Sequence, residues 1–209
     1  MDPQALTGFA PHMWDHEWKV NGIWNRLLSC IVSPERYMLA PEVRNRRDPE
    51  AEGHFEKADL VMFDTKLVNY LNGQLQDIKI EHPLLVFEGK GGTAANHWWE
   101  IRNQLRMWCN GYKGDAVHAG APFLFHDGRR CWAIGAKGSQ VAFWLFKSNG
   151  MHPVTVVDGA TRITEALPQI PNQDPPPVDN VYYYDSMETL VILINIHWHI
   201  DPTGIQLDF

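Results

Sequence analysis

Much of what the common catalytic and binding classes rest on is missing from this chain. Its 209 residues include three cysteines, Cys30, Cys109 and Cys131, at no spacing that a structural zinc site uses. An odd, scattered count points to reduced thiols and an intracellular setting, nuclear or cytoplasmic. The longest apolar run, residues 190–194, is far too short to cross a bilayer, so no membrane partner is expected. The first residues carry acids and no apolar stretch, so no secretory signal is expected either. The glycines of residues 89–92 lack the Gly-Lys-Ser/Thr ending of a phosphate-binding loop. No Ser, Thr or Cys sits in a nucleophile elbow. His197 and His199 have no Cys or Glu beside them at metal-ligand spacing and read as structural. Positive charge is scarce as well. A net charge of −7 argues against broad electrostatic affinity for nucleic acid and leaves room only for a local basic groove. Candidates for it are Arg44, Arg46 and Arg47, and further on Lys113, Arg129, Arg130 and Lys137.

What is present is apolar material for one well-packed domain: hydrophobic residues make up 44% of the chain, and nine Trp are expected in core or interface. Residues 14–32 read as a helix, with Trp14, Trp18, Asn21, Trp24, Leu28 and Ile31 at spacings of three or four, and Pro34 ending it. Residues 36–43 read as a strand and 44–57 as a polar loop. Two β-type runs follow, around Asp59 and at residues 83–90. Between them, residues 64–81 read as a loop or hairpin, with Asn72-Gly73 as the turn signal and Asp64 ending the first strand. Residues 96–112 form a second helical pattern, which Thr93 or Asn96 could cap. Three short strands are expected at 121–126, 131–136 and 140–146, with Asp127-Gly128 and Lys137-Gly138 as hairpin turns. A further strand is expected at 154–157 and a turn of helix at 161–167. The expected organisation is a domain over 1–167, a proline-rich spacer over 168–186, and a C-terminal segment, 187–209, whose residues 187–200 form a helix docking back on the core.

The chemistry lies in the two β-type runs. Each carries an acid where a core strand should be apolar: Asp59 in the first and Glu88 in the second, followed by Gly89 and Lys90. Strand residues alternate faces, so Glu88 and Lys90 point the same way, roughly 7 Å apart. A buried carboxylate is costly without a cation or a donor. Two acids and an ammonium at one sheet edge suit Mg²⁺, or Mn²⁺, with an activating lysine; the plainer alternative is a structural salt bridge.

The order of strand with Asp59, strand with Glu88-Gly89-Lys90, then helix with Gln104, resembles the PD-(D/E)XK nuclease superfamily. It covers about residues 17–146. It departs from the family pattern at Ala58, where a proline often stands, and at Trp108, where a tyrosine often follows the glutamine by four. The resemblance implies an α/β protein with a restriction endonuclease-like core, a central mixed β-sheet flanked by helices. It also implies a metal-dependent nuclease that hydrolyses phosphodiester bonds of nucleic acid, DNA foremost. Asp59, Glu88 and the carbonyl of Gly89 would hold the metal. Lys90 would contact the attacking water or the phosphate, as a charge and donor, or as a base if desolvation lowers its pKa. Gln104 would orient a ligand or phosphate. Glu17, with Asp15 as competitor, would be the acid that reaches the site from the first helix. A homodimer would let so small a chain cut both strands. The alternative is an inactive relative of the same fold serving as a protein-interaction module.

Overall fold

The computed structural model describes residues 9–32, 36–44, 57–71, 74–96, 98–111, 130–147, 150–165 and 180–200. After a 3₁₀ turn at Pro11–Trp14 comes α1, Glu17–Cys30. Strands β1, Tyr37–Arg44, β2, Lys57–Leu71, and β3, Gln74–Lys90, follow. Helix α2, Trp98–Gly111, precedes β4, Cys131–Lys137, β5, Gln140–Lys147, β6, Gly150–Val157, and β7, Ala160–Ile163. The short β8, Val181–Tyr183, leads into α3, Met187–Ile200. The protein is thus α/β.

The strands form one mixed sheet in the order β1-β2-β3-β4-β5-β6-β7, with β8 pairing β5 beside β6. Every neighbouring pair is antiparallel except β3 with β4. A parallel pair needs a crossover, and the segment that carries α2 supplies it. Helices cover both faces. On one, α1 and α3 bury Trp24, Leu27, Leu28, Ile192, Leu193 and Ile196 against Leu60, Leu85, Phe87 and Phe143. On the other, Ile101, Leu105, Trp108 and Cys109 of α2 pack on Val61, Val86, Ala133 and Trp144. Burying a side chain of the size of Phe87 stabilises by about 2–3 kcal/mol, so these two layers dominate the fold.

The core helices stand where periodicity places them, and four local readings change. Trp18, assigned to the buried stripe, is 71% exposed, because the buried face turns through Val20, Ile23 and Leu27 instead. Asp64 does not end a strand; β2 runs on to Leu71 as one arm of a long hairpin with β3, so the hairpin alternative holds. Residues 160–163 form β7 and not a turn of helix. Asp158 and Gly159 both adopt positive φ (52° and 72°), the backbone of a tight hairpin turn that pairs β7 with β6. The stretch expected as spacer ends in β8, which belongs to the sheet. The expected strand at 121–126, the turns at 72–73 and 127–128, the proline-rich residues 168–177, and Arg46, Arg47, Lys113 and Arg129 lie outside the described residues.

No helix among the described residues is long and apolar enough to cross a membrane. Nδ1 of His197 pairs with the Ile31 carbonyl at 2.5 Å, and Nδ1 of His199 accepts from the Trp132 indole at 2.8 Å. Cys109 and Cys131 are buried together as free thiols. Burial and the neighbouring Cys131 push the Cys109 thiol well above its ordinary value, away from nucleophilic use.

Candidate functional site

The sheet forks where the acids sit. β2 and β3 are paired up to Leu60 and Phe87. Beyond that point β2 stays with β1, through Ala58 opposite Val43 and Lys57 opposite Arg44. β3 stays with β4 instead, through Lys90 opposite Lys137. In the fork, Gly89 has no strand partner on the β2 side. Its N–H donates to Oδ2 of Asp59 at 2.8 Å, a side chain standing in for the missing ladder carbonyl. The N–H and C=O of one strand residue point to the same edge, so the Gly89 carbonyl opens into the fork too.

Three features bring α1 to this point. Trp24 packs on Phe87, with ring centroids 5.6 Å apart, and fixes the helix along β3. One turn back, Oδ1 of Asn21 lies over Gly89 so closely that a Cβ there would come within 2.2 Å of it. Another turn back, Glu17 reaches Lys90, Oε2 to Nζ 3.4 Å. The start of the helix is held by Gly91, where a Cβ would meet the Asp15 carbonyl at 2.3 Å, and by the Gly92 N–H, which donates to the Trp14 carbonyl at 2.7 Å. Asp15 is therefore a main-chain anchor, with Thr93 Oγ1 also donating to its carbonyl at 3.2 Å. Of the two acids at the start of this helix, Glu17 is the one whose carboxylate meets Lys90.

Glu88 and Lys90 are both buried, 3% and 9% exposed, and pair at 2.7 Å, Nζ to Oε1. The Glu88 carboxyl is nonetheless raised to about 7. Burial is the main cause and the negative charge of Asp59 the second; Lys90 opposes both and is outweighed. Asp59 is raised as well, by burial first, against the lowering effect of the Gly89 N–H and of Lys90. For Lys90, burial pulls the pKa down, but Glu88, Asp59 and Glu17 together more than reverse it, so the amine stays an ammonium. In the metal-free site Lys90 is thus a charge and a donor.

Gln104 is placed differently. It lies on α2, one turn after Ile101, whose Cγ2 would meet a Cβ on Gly135 at 2.6 Å. Gly135 is the ladder partner of Glu88. Glu88 alternates with Val86 and so faces the α2 layer, where Gln104 also lies, and the Oε1 of Gln104 is buried without a hydrogen-bond partner. Trp108, one turn further, is a core residue whose indole donates to the Val43 carbonyl at 2.9 Å, holding β1 to α2. Of the expected basic groove, Lys137 is engaged with the Asn96 carbonyl at 2.7 Å and Arg130 is exposed.

Among the described residues, no three His, Cys, Asp or Glu side chains form a ready-made metal centre. The fork fits a hard cation in another way. Its oxygens are two carboxylates and a main-chain carbonyl, and Mg²⁺ is commonly held by one or two carboxylates with water completing the shell. Charge points the same way. Glu17 and Glu88 contact one ammonium, and Asp59 acts on both Glu88 and Lys90. With all three acids ionised, two negative charges are left over, which one divalent ion would balance.

The residue that the sequence reading passed over is Asn21. Its signal was there: an amide in a helical stripe otherwise made of Trp, Leu and Ile. Gly89→Ala tests how closely this corner is fitted. A Cβ would press on the far end of the Asn21 side chain and on the Phe87 ring, and the expected destabilisation is about 1–2 kcal/mol in urea unfolding. The chain matches no protein-family model, no curated protein and no solved structure.

Proposed function

We propose that the protein is a metal-dependent nuclease with a restriction endonuclease-like core, hydrolysing phosphodiester bonds, of DNA foremost. The observation that carries this reading is the fork itself: Asp59 and Glu88 on diverging strands, with Lys90 beside them. Asp59, Glu88 and the Gly89 carbonyl would hold Mg²⁺ or Mn²⁺. A divalent ion bound there supplies a Lewis acid for the phosphoryl oxygen and lowers the pKa of water. The Lys90 ammonium adds a donor aimed where negative charge builds on the phosphate, and its burial strengthens that effect. Glu17, whose side chain is half exposed, holds Lys90 from the solvent side. Gln104, with an amide oxygen lacking a partner, is suited to orienting a ligand from the α2 face.

The test is incubation of the pure protein with plasmid and single-stranded DNA in Mg²⁺ or Mn²⁺. Cleavage is expected, and Asp59→Ala or Lys90→Ala should reduce it by at least a hundredfold, the scale of losing one electrostatic stabiliser. Cleavage that persists in both variants would point to a contaminant. An inactive scaffold would instead fold normally, cut nothing and show no Mn²⁺ affinity. Light scattering of the active protein reports whether it works as a homodimer.

A further inference from the structure

We propose that Asn21 is a positioning residue of this site, its buried amide oxygen taking a hydrogen bond from the hydration shell of the bound cation. This rests on the metal-dependent reading above. Asn21 lies four residues after Glu17, so both face the end of β3. Its amide nitrogen is turned toward the Asp59 carboxylate, which only accepts and whose pKa it lowers, so Oδ1 is the free end. That oxygen is buried and has no donor. It is pressed onto Gly89, the residue between Glu88 and Lys90, and only the absence of a Cβ admits it.

An acceptor enclosed without a donor is costly and calls for an account. The cation supplies one. Mg²⁺ and Mn²⁺ keep several waters when bound through few protein oxygens. A water whose lone pair faces a cation offers only its hydrogens, and Oδ1 of Asn21 is an acceptor beside Asp59 with nothing to receive. The amide oxygen thus orients water around the ion.

The test is calorimetric Mn²⁺ binding at pH 8, with urea unfolding of the metal-free proteins alongside. Asn21→Leu keeps the size and removes the acceptor, and its Mn²⁺ affinity should fall about tenfold. Asn21→Asp loses the donor but keeps an oxygen in place, and its affinity should stay within about threefold of the wild type. If Asn21→Leu does not fold, Asn21→Ser carries the same comparison. A merely structural Asn21 would lower unfolding stability and leave the affinity of the folded protein unchanged, which would overturn the proposal. So would Asn21→Asp losing as much affinity as Asn21→Leu, since only the donor would then matter. Asp59→Ala and Glu88→Gln serve as the separate control. If the wild type binds no Mn²⁺ and these two change nothing, the metal reading itself falls and this inference with it.

Discussion

Glu88→Gln is expected to make the metal-free protein more stable at pH 8, by about 2–3 kcal/mol. The sign follows from linkage. The folded-state carboxyl titrates at about 7, above its ordinary value of 4.5. Below pH 4.5 the group is protonated in both folded and unfolded chains and costs nothing. As pH rises from 4.5 through 7, the unfolded chain ionises first and the folded state loses its relative advantage. Each pKa unit is worth about 1.4 kcal/mol, so above pH 8 the ionised acid costs the fold about 3 kcal/mol. A glutamine keeps an oxygen for the Lys90 ammonium and removes the buried charge. Urea unfolding at pH 8 and pH 4 reads the effect: a clear gain at the higher pH and little difference at the lower. Equal stabilities at pH 8 would mean that Lys90 fully compensates Glu88. A stabilising substitution at a site residue is what a functional carboxylate predicts, because it is kept for its chemistry at a cost to the fold.

Mn²⁺ binding should weaken steeply in acid for the same cause. A carboxyl must be ionised to hold a cation, so below about pH 7 the ion competes with a proton on Glu88. Affinity should drop at least tenfold per pH unit below 7, about a hundredfold between pH 7 and pH 5, and level off above pH 8. Asp59, also raised, steepens the acid limb. Calorimetry in two buffers of different ionisation enthalpy would count the protons released. A flat profile from pH 5 to pH 8 would remove Glu88 from the ligand set. In Glu88→Gln the residual binding should lose this pH dependence near neutrality.

These two expectations pull against each other in one residue, which shows how the fork works. Metal-free, the Lys90 ammonium occupies the Glu88 oxygen at 2.7 Å and partly answers the buried charge. It cannot answer all of it, because burial and then the negative charge of Asp59 outweigh it. A divalent ion would relieve the remainder and free Lys90 to face the substrate.

Chain order and residue type were enough to read the acids, the lysine and both flanking helices. An acid closing an apolar run is anomalous, and Glu88-Gly89-Lys90 after such a run is more so. The helix pattern of residues 187–200 and the β runs at 131–136 and 140–146 were legible because apolar periodicity is local. Trp18 shows where that reading stops. A Trp at the right spacing reads as core, yet which side of α1 meets the sheet depends on the Trp24–Phe87 contact, between residues 63 positions apart. Asp158-Gly159 is a strong hairpin signal, yet residues 161–167 also fit a turn of helix, and only the pairing of β7 with β6 decides between them.

Residue type and spacing alone marked Asp59, Glu88 and Lys90 as groups in need of partners, because such groups within buried strands are stable only with them. That β2 and β3 part company after Leu60 and Phe87, that Gly89 gives its N–H to Asp59, and that α1 delivers Glu17 and Asn21 to the gap belonged to the assembled molecule. Each depends on contacts between segments far apart along the chain, whose geometry is set by packing across layers and not by the preferences of neighbouring residues.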